Sequence, residues 1–347
     1  MMTTDKPNRL DADNVRLILT SWMEKHNLDS FPWMTDPALV EVGVCAPLFE
    51  AEEDTCICGH ALTKHKTEHT ACTVCICPCY IERIYHVGKL DLLGTQRADG
   101  KSLCPVDHKS TGKIDGRFIN QFTIDSQMTG YLYDAGYLAG TPVYTCFINA
   151  IELSMVPTST RKCPLHAVPY EECGPTEHVK FQVIGPIERT PNQIAQWKET
   201  AIFLAKRYHR LCGESLRTLK EVRQEGTFNG GCGYCEFREF CLTDRNIKQV
   251  PLMFHQAVWS PVGHVFGPKG VKKPDPLGLY IDNSTLKATA ACSTQALMRY
   301  GLGWTAAEQS QPLRAGTAVH AALEVWFGGG TEQQALAVFE KAYEKNT

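Results

Sequence analysis

Net charge is almost missing from this chain: 35 Lys and Arg stand against 38 Asp and Glu, a formal balance of −3. So balanced a sequence sets up no overall positive field, which argues against a protein that coats DNA passively but not against an enzyme with a local basic channel. Long apolar runs are missing too. No stretch approaches the roughly 18 residues of a membrane span, and the opening "MMTTDKPNRLDADNVRL" has no apolar core of signal-peptide length. These absences predict a soluble, cytoplasmic protein with no membrane partner. No internal repeat is visible. The 347 residues suffice to bury a real core, as one large domain or two modest ones.

Against that background 16 cysteines stand out. In a secreted chain they would suggest disulfides, whereas a cytosolic chain of this size uses clustered thiolates for metal. They do cluster. Six lie between Cys56 and Cys79, three between Cys232 and Cys241, and Cys292 stands alone. Cys45, Cys104, Cys146, Cys163, Cys173 and Cys212 are scattered and read as buried free thiols.

Along the chain, residues 14 to 26 read as an amphipathic helix behind Asp11 and Asp13, and "ALVEVGVCAPLFE" alternates like a strand. A Cys/His-rich block, 54 to 80, interrupts. "YIERIYHVGKLDLLG" and "LCPVDHKS" flank an Asp99-Gly100 turn, so 80 to 110 reads as a hairpin. "FTIDSQMTGYLYDAGYLAG" has helical spacing, "PVYTCFINAIEL" is a buried strand and "VKFQVIGPI" is its candidate partner. Residues 192 to 224 have the periodicity of one long helix, and 245 to 282 are Pro- and Gly-rich, the mark of an extended connection. At least two more helices close the chain. Strands with helices between and after them predict a mixed α/β fold.

The chemistry centres on Asp91 in "GKLDLLG" and on Asp107 and Lys109 in "PVDHKST". Side chains alternate on a strand, so Asp107 and Lys109 share a face and His108 points away; a hairpin can set Asp91 beside Asp107. Two carboxylates and a backbone carbonyl suit Mg²⁺ or Mn²⁺, and a lysine one step away can orient a water for attack on phosphate. The bland alternative is a polar strand face with a salt bridge. Charges inside otherwise apolar strands are costly, which favours function. Gln127 and Tyr131 are four apart and share a helix face, where they could reach a phosphate or serve as ordinary surface and core.

Together, "GKLDLLG", "PVDHKST" and "DSQMTGYLYDAGYLAG" resemble motifs II and III and the Q-x3-Y helix of RecB-like nucleases in the PD-(D/E)xK superfamily. Gly88, three before Asp91, matches the family's glycine. The resemblance covers most of the chain outside 54–80 and 245–282. It implies a restriction-endonuclease-like core, a mixed central sheet flanked by helices.

"CGYCEFREFC" spaces Cys232, Cys235 and Cys241 as C-x2-C-x5-C, three thiolates that need a fourth to close a tetrahedral zinc or hold a cluster. The iron-sulfur branch of the family, which includes the AddB nuclease and a CRISPR adaptation nuclease, carries such a triplet after its catalytic core. By that resemblance Cys292, in "NSTLKATAACSTQALMRYGLG", is the fourth ligand of a [4Fe-4S] cluster, with zinc on the same thiolates as the rival. In "CICGHALTKHKTEHTACTVCICPCY" the short Cys/His spacing signals zinc in a fragment too small for its own core. Cys58, His65, Cys72 and Cys75 could form one site and Cys56, His60 and Cys77 another, with His69 and Cys79 in reserve. This block resembles insertions in phage-encoded RecB-like exonucleases, where it could grip DNA or brace the hairpin. Cys163, His166, Cys173 and His178 offer another metal site, but their long, irregular spacing makes a plain loop the better reading.

"RAGTAVHAALEVWF" holds one histidine. Val319, Leu323 and Trp326 build an apolar stripe with His320 at its margin, the usual place of a satisfied core histidine. RecB-like nucleases, however, carry a helix with G-x-x-x-H whose histidine joins the metal shell, and Gly316 to His320 match it. The resemblance thus assigns Asp91, Asp107 and His320 to Mg²⁺ or Mn²⁺, Lys109 to the attacking water, and Gln127 and Tyr131 to substrate, with Glu41 adding a contact to the metal or to its ligands. In the family the histidine and single-cysteine helices come first; here they come last. Three explanations stand: a circular permutant that completes its own site, a fragment of a tandem nuclease, or a tail that completes a neighbouring copy. The expected division is a nuclease core of 1–53 and 81–244, a zinc-binding insertion of 54–80, an extended connection of 245–282, and a completing segment of 283–347. The implied function is a metal-dependent DNA nuclease, an exonuclease on single-stranded DNA or DNA ends, phage-encoded and working with recombination or replication proteins in a bacterial cytoplasm. The alternative class is a catalytically silent, metal-stapled DNA-binding scaffold.

Overall fold

The computed structural model describes residues 10–65, 72–74, 78–154, 167–169, 172, 178–214, 219–266, 275–306 and 311–345. In chain order they form α1 (Ala12–Lys25), β1 (Trp33–Met34), β2 (Val40–Glu50), β3 (Arg83–Gln96), β4 (Leu103–Thr111), α2 (Gly116–Gln121), α3 (Ser126–Ala139), β5 (Thr145–Glu152), β6 (Phe181–Glu188) and α4 (Pro191–Leu211). There follow α5 (Arg238–Leu242), α6 (Val250–Met253), β7 (Phe254–Gln256), α7 (Pro261–Phe266), β8 (Gly278–Ile281), α8 (Asn283–Ala291), α9 (Ser293–Ala296), β9 (Trp304–Ala306), α10 (Gln311–Phe327) and α11 (Glu332–Lys345). The fold is mixed α/β, its mixed sheet flanked by helices. No helix among the described residues is long and apolar enough to cross a membrane.

The chain divides into two compact units: residues 1–42, 90–190 and 309–347 form the first, 43–89 and 191–308 the second. The boundaries at 42/43 and 89/90 fall inside β2 and β3.

In the first unit the sheet order is β1-β3-β4-β5-β6. β3 and β4 are antiparallel, with Leu92 opposite Val106, β4 and β5 are parallel, and β6 returns antiparallel to β5. The hairpin turn forms because the Asp99 carboxylate accepts from the backbone N–H groups of Lys101 and Ser102 at 2.9 and 3.0 Å. Gly100 supplies the left-handed residue at φ +66°. β4 is buried from Cys104 to His108, as expected of a strand covered on both faces, and this run carries the charged Asp107.

α1 is capped by Asp11, which accepts from Asn14 N at 2.8 Å, and it buries Val15, Ile18, Leu19 and Trp22 at helical spacing. These pack with Ala315, Ala318, Val319, Leu323 and Phe327 of α10 and Phe339 of α11 in one cluster that also takes in Leu92, Val106 and Phe147 of the sheet. The tail helices are thereby part of this unit's core. Tyr343 Oη donates to the Leu10 carbonyl.

In the second unit, α4 buries Trp197, Ala201, Ala205 and His209, one residue per turn. β8 runs parallel to residues 83–86 of β3, where Arg83 pairs with Asp275 at 2.8 Å and Tyr85 stacks on Tyr280. A smaller core gathers Leu219, Phe237, Phe240, Val250, Phe254 and Leu297.

Three expectations are revised. The helix foreseen over 192–224 stops at Leu211: Gly213 N–H turns to the Arg210 carbonyl at 3.1 Å, a tightened last turn with a poor helix former in it. The foreseen extended connection, 245–282, carries α6, β7, α7 and β8, elements too short to show periodicity. The foreseen 283–347 segment is divided at 308/309, so Cys292 belongs with the cysteine triplet and His320 with the acidic strands.

Candidate functional site

Asp91 lies where β3 and β4 part. Its Oδ2 accepts from the His108 backbone N–H at 2.8 Å and stands 3.4 Å from His320 Nδ1. Asp107, one register step beyond Val106, is buried and holds Lys109 Nζ at 2.6 Å. Burial alone would lower the Lys109 pKa, but the charges of Asp107 and then Asp91 outweigh it and hold the ammonium above its ordinary value. Tyr131, on α3, is nearly buried and accepts a 2.6 Å hydrogen bond from Gln127 Nε2. Burial, with Asp107 and Asp91 adding to it, raises its phenol well above the usual range, so it stays protonated. His320 contacts Asp91, and the charges of Asp91 and Asp107 both act on Lys109 and Tyr131; Gln127 joins them through Tyr131.

His320 arrives on α10 because that helix approaches β4 closely. A Cβ on Gly316 would stand 3.2 Å from Ser110 Oγ, so the glycine one turn before His320 permits the contact. His320 keeps 35% of its side-chain surface exposed and Asp91 12%, which leaves this side of the group open to solvent.

Sequence reasoning took His108 to be simply turned away. It is buried on the opposite face, where Asn149, its register partner on β5, makes a 3.0 Å side-chain hydrogen bond to Nδ1 and Phe327 stacks on the ring at 4.8 Å. Burial drives the His108 pKa down to about 4 despite Asp91, so the ring is neutral near pH 7. The same residue presents its backbone N–H to Asp91. A lone asparagine in the apolar run "TCFINAIE" was the available signal. Asp125, also missed, caps α3 by accepting from Gln127 N at 2.7 Å and adds its charge near Lys109. Glu41 occupies β2 at φ +56°, a left-handed backbone uncommon for a non-glycine residue.

The second unit holds the thiols. Cys232, Cys235, Cys241 and Cys292 line one cavity of about 40 Å³, with Phe237 on its wall. A Cβ on Gly226 would reach 3.3 Å from Cys232 Sγ and 3.7 Å from Cys292 Sγ, so this residue leaves room for the sulfurs. Cys292 is stitched to the triplet's loop: Ser293 N donates to Glu225 Oε2 at 2.9 Å, Thr294 N to the Arg223 carbonyl at 3.1 Å and Asn229 Nδ2 to the Ala291 carbonyl at 2.9 Å. Burial pushes the Cys235 and Cys241 thiols up against opposing hydrogen bonds from the Phe237 backbone and Gln224, and neighbouring cysteine charges add to the rise, so ionising this group calls for a cation.

In the Cys/His block, Cys56, Cys58 and His65 bring ligating atoms within 4.8 Å of one another, and so do Cys58, His60 and Cys72. These groups can hold metal. They divide the residues differently from the spacing: Cys72 stands with His60, and Cys56 with His65. The four cavity sulfurs form no set as tight as these among the described residues. Cys75 and Cys77, foreseen as ligands, lie outside the described residues, as do His69, Cys163, His166 and Cys173. Of the scattered thiols, Cys104 and Cys146 are buried and Cys45 and Cys212 half-buried.

No protein-family model matches the chain, and neither the curated proteins nor the solved structures contain a significant match to it.

Proposed function

We propose that this chain is a metal-dependent deoxyribonuclease of the RecB-like PD-(D/E)xK kind, an exonuclease on single-stranded or end-opened DNA. The observation that carries the reading is the contact of His320 with Asp91 beside the Asp107–Lys109 pair, made by residues more than 200 positions apart. His320 also keeps 35% of its side chain exposed, more than a core histidine needs, so the imidazole can take a further partner.

The residues suit Mg²⁺ or Mn²⁺. Asp91 and Asp107 offer hard oxygens and His320 an imidazole, and three carboxylates, those of Asp91, Asp107 and Asp125, act on the single Lys109 ammonium. A cation would offset that surplus. When bound, it supplies charge neutralisation at phosphate and a more acidic water. The protein's own groups do the rest. Lys109 Nζ, held by Asp107, donates to and orients the attacking water. The His108 N–H and His320 fix the Asp91 carboxylate. Tyr131, protonated and braced by Gln127, borders the two acids. The more exposed Gln127 is the better placed of the pair to meet substrate.

At the four-cysteine cavity we assign a [4Fe-4S] cluster rather than zinc. The assignment follows the resemblance to the iron-sulfur branch, and what supports a shared site is that all four cysteines line one cavity. The short Cys/His block is assigned to zinc. Phage recombination or replication in a bacterial cytoplasm is the setting that accompanies this proposal.

The test is degradation of end-labelled single- and double-stranded DNA with Mn²⁺ by oxygen-free protein and by its Asp107→Ala variant. Degradation by the parent alone is expected. If neither cleaves although both are folded and metal-loaded, the chain is the silent scaffold instead.

A further inference from the structure

Among the described residues, five ligating side chains between 56 and 72 fall into two triads that share one atom. Cys58 Sγ belongs with Cys56 and His65, and equally with His60 and Cys72. A tetrahedral zinc takes four donors at about 2.0–2.3 Å. Five donors exceed that number, and they form two overlapping sets rather than one. His60 Nδ1 makes the second set explicit: it stands 3.4 Å from Cys58 Sγ and 3.6 Å from Cys72 Sγ.

We propose that this segment holds two zinc ions bridged by the Cys58 thiolate, one bounded by Cys56 and His65, the other by His60 and Cys72. A thiolate bound to one ion retains lone pairs and donates one of them to a second. The outer sulfurs are terminal ligands, and each accepts a backbone bond, Cys56 from Ile81 N–H and Cys72 from Val74 N–H, both at 3.4 Å. The local backbone places the triads side by side. A bridge between Thr55 and Ala61 closes the loop that carries Cys56, Cys58 and His60, and a bridge between His65 and Cys72 pairs one member of each triad. Cys79, whose carbonyl lies 3.9 Å from Cys56 Sγ, is a described thiol next to the first triad.

The inference rests on the reading of this block as a zinc module and is independent of DNA cleavage. Zinc per chain is counted by elemental analysis and native mass spectrometry on the full-length parent, Cys58→Ser, Cys56→Ser, Cys72→Ser and the Cys56→Ser/Cys72→Ser double variant. Any zinc held at Cys232, Cys235, Cys241 and Cys292 contributes equally to every protein and cancels in the differences. The expected losses are two ions for Cys58→Ser, one for each other single variant and two for the double. If Cys58→Ser does not fold, nuclear magnetic resonance of the cadmium-substituted parent carries the test: two cadmium signals coupled to each other are expected of a shared thiolate, and two uncoupled signals overturn it. A loss of only one ion in Cys58→Ser, a loss of one ion in every protein, the double included, or no loss at all, also overturns the bridge.

Discussion

In the first unit one continuous apolar cluster ties α1, the sheet and both tail helices together, and the groups we assign to a metal are two carboxylates and an imidazole. In the second, Leu48, Tyr80, Ile84, Val87, Trp197, Ile281 and Leu286 are buried and a further cluster gathers around Phe237 and Phe254, but the available donors are thiols and histidines. The two units thus differ in donor chemistry. Hard oxygen donors bind Mg²⁺ or Mn²⁺ loosely enough to serve chemistry, and the fold around them stands without the ion. Thiolates bind tightly, and in short loops such as those that carry Cys56 to His65 and Cys232 to Cys241 part of the binding energy becomes folding energy.

The sharpest way to break this comparison is Cys292→Ser. We expect a fall of several kcal/mol in the stability of the second unit, read by denaturant unfolding of oxygen-free protein, together with loss of visible iron–sulfur absorbance. A colourless parent that still loses stability would replace iron with zinc at these thiolates. Asp107→Ala should do the reverse. DNA cleavage falls by at least about 100-fold, while the denaturation midpoint stays near that of the parent.

Acid should strike both units alike. His108 in one and His209 in the other are buried with pKa values lowered to about 4, burial being the leading cause in each. Both must be neutral in the fold, so the stability they contribute is complete above the unfolded pKa of 6.5 and is lost as pH falls from 6.5 to about 4. That amounts to up to about 3 kcal/mol per histidine. Denaturant midpoints at pH 7 and pH 4.5 would show the loss, and His209→Gln should flatten it in the second unit alone.

Two milder variants sharpen the first unit further. His320→Ala should reduce cleavage by about 10- to 100-fold and raise the Mn²⁺ concentration needed. A core histidine would instead show a stability change with unaltered Mn²⁺ dependence. Asn149→Ala leaves His108 Nδ1 without its partner and should cost about 1–2 kcal/mol, with a further rise in the Mn²⁺ requirement if the His108 N–H positions Asp91.

Much of the first unit was legible in the sequence. Alternation and the Asp99-Gly100 turn announced the β3–β4 hairpin, and that hairpin sets Asp91 beside Asp107. Apolar spacing announced α1, α3 and β5. Gly316 and His320 were recognisable as a pair, and the structure supplies the reason in the close approach to Ser110. The rest depended on contacts that no local pattern encodes. The His108–Asn149 bond requires the parallel register of two strands some 40 residues apart. The end of α4 at Leu211 came from a single turn that a periodicity count reads through. The grouping of Cys56 with His65, and of Cys72 with His60, follows from backbone bridges rather than from spacing.

Everything proposed for the first unit requires that Asp91, Asp107 and His320 surround one hard-ion site. Mn²⁺ binding, followed by paramagnetic resonance on the folded parent, Asp91→Ala, Asp107→Ala and His320→Ala, reads that site. One bound ion in the parent and weaker binding in each variant are expected. Equal binding in all four proteins, or none in the parent, would mean that these residues hold no ion.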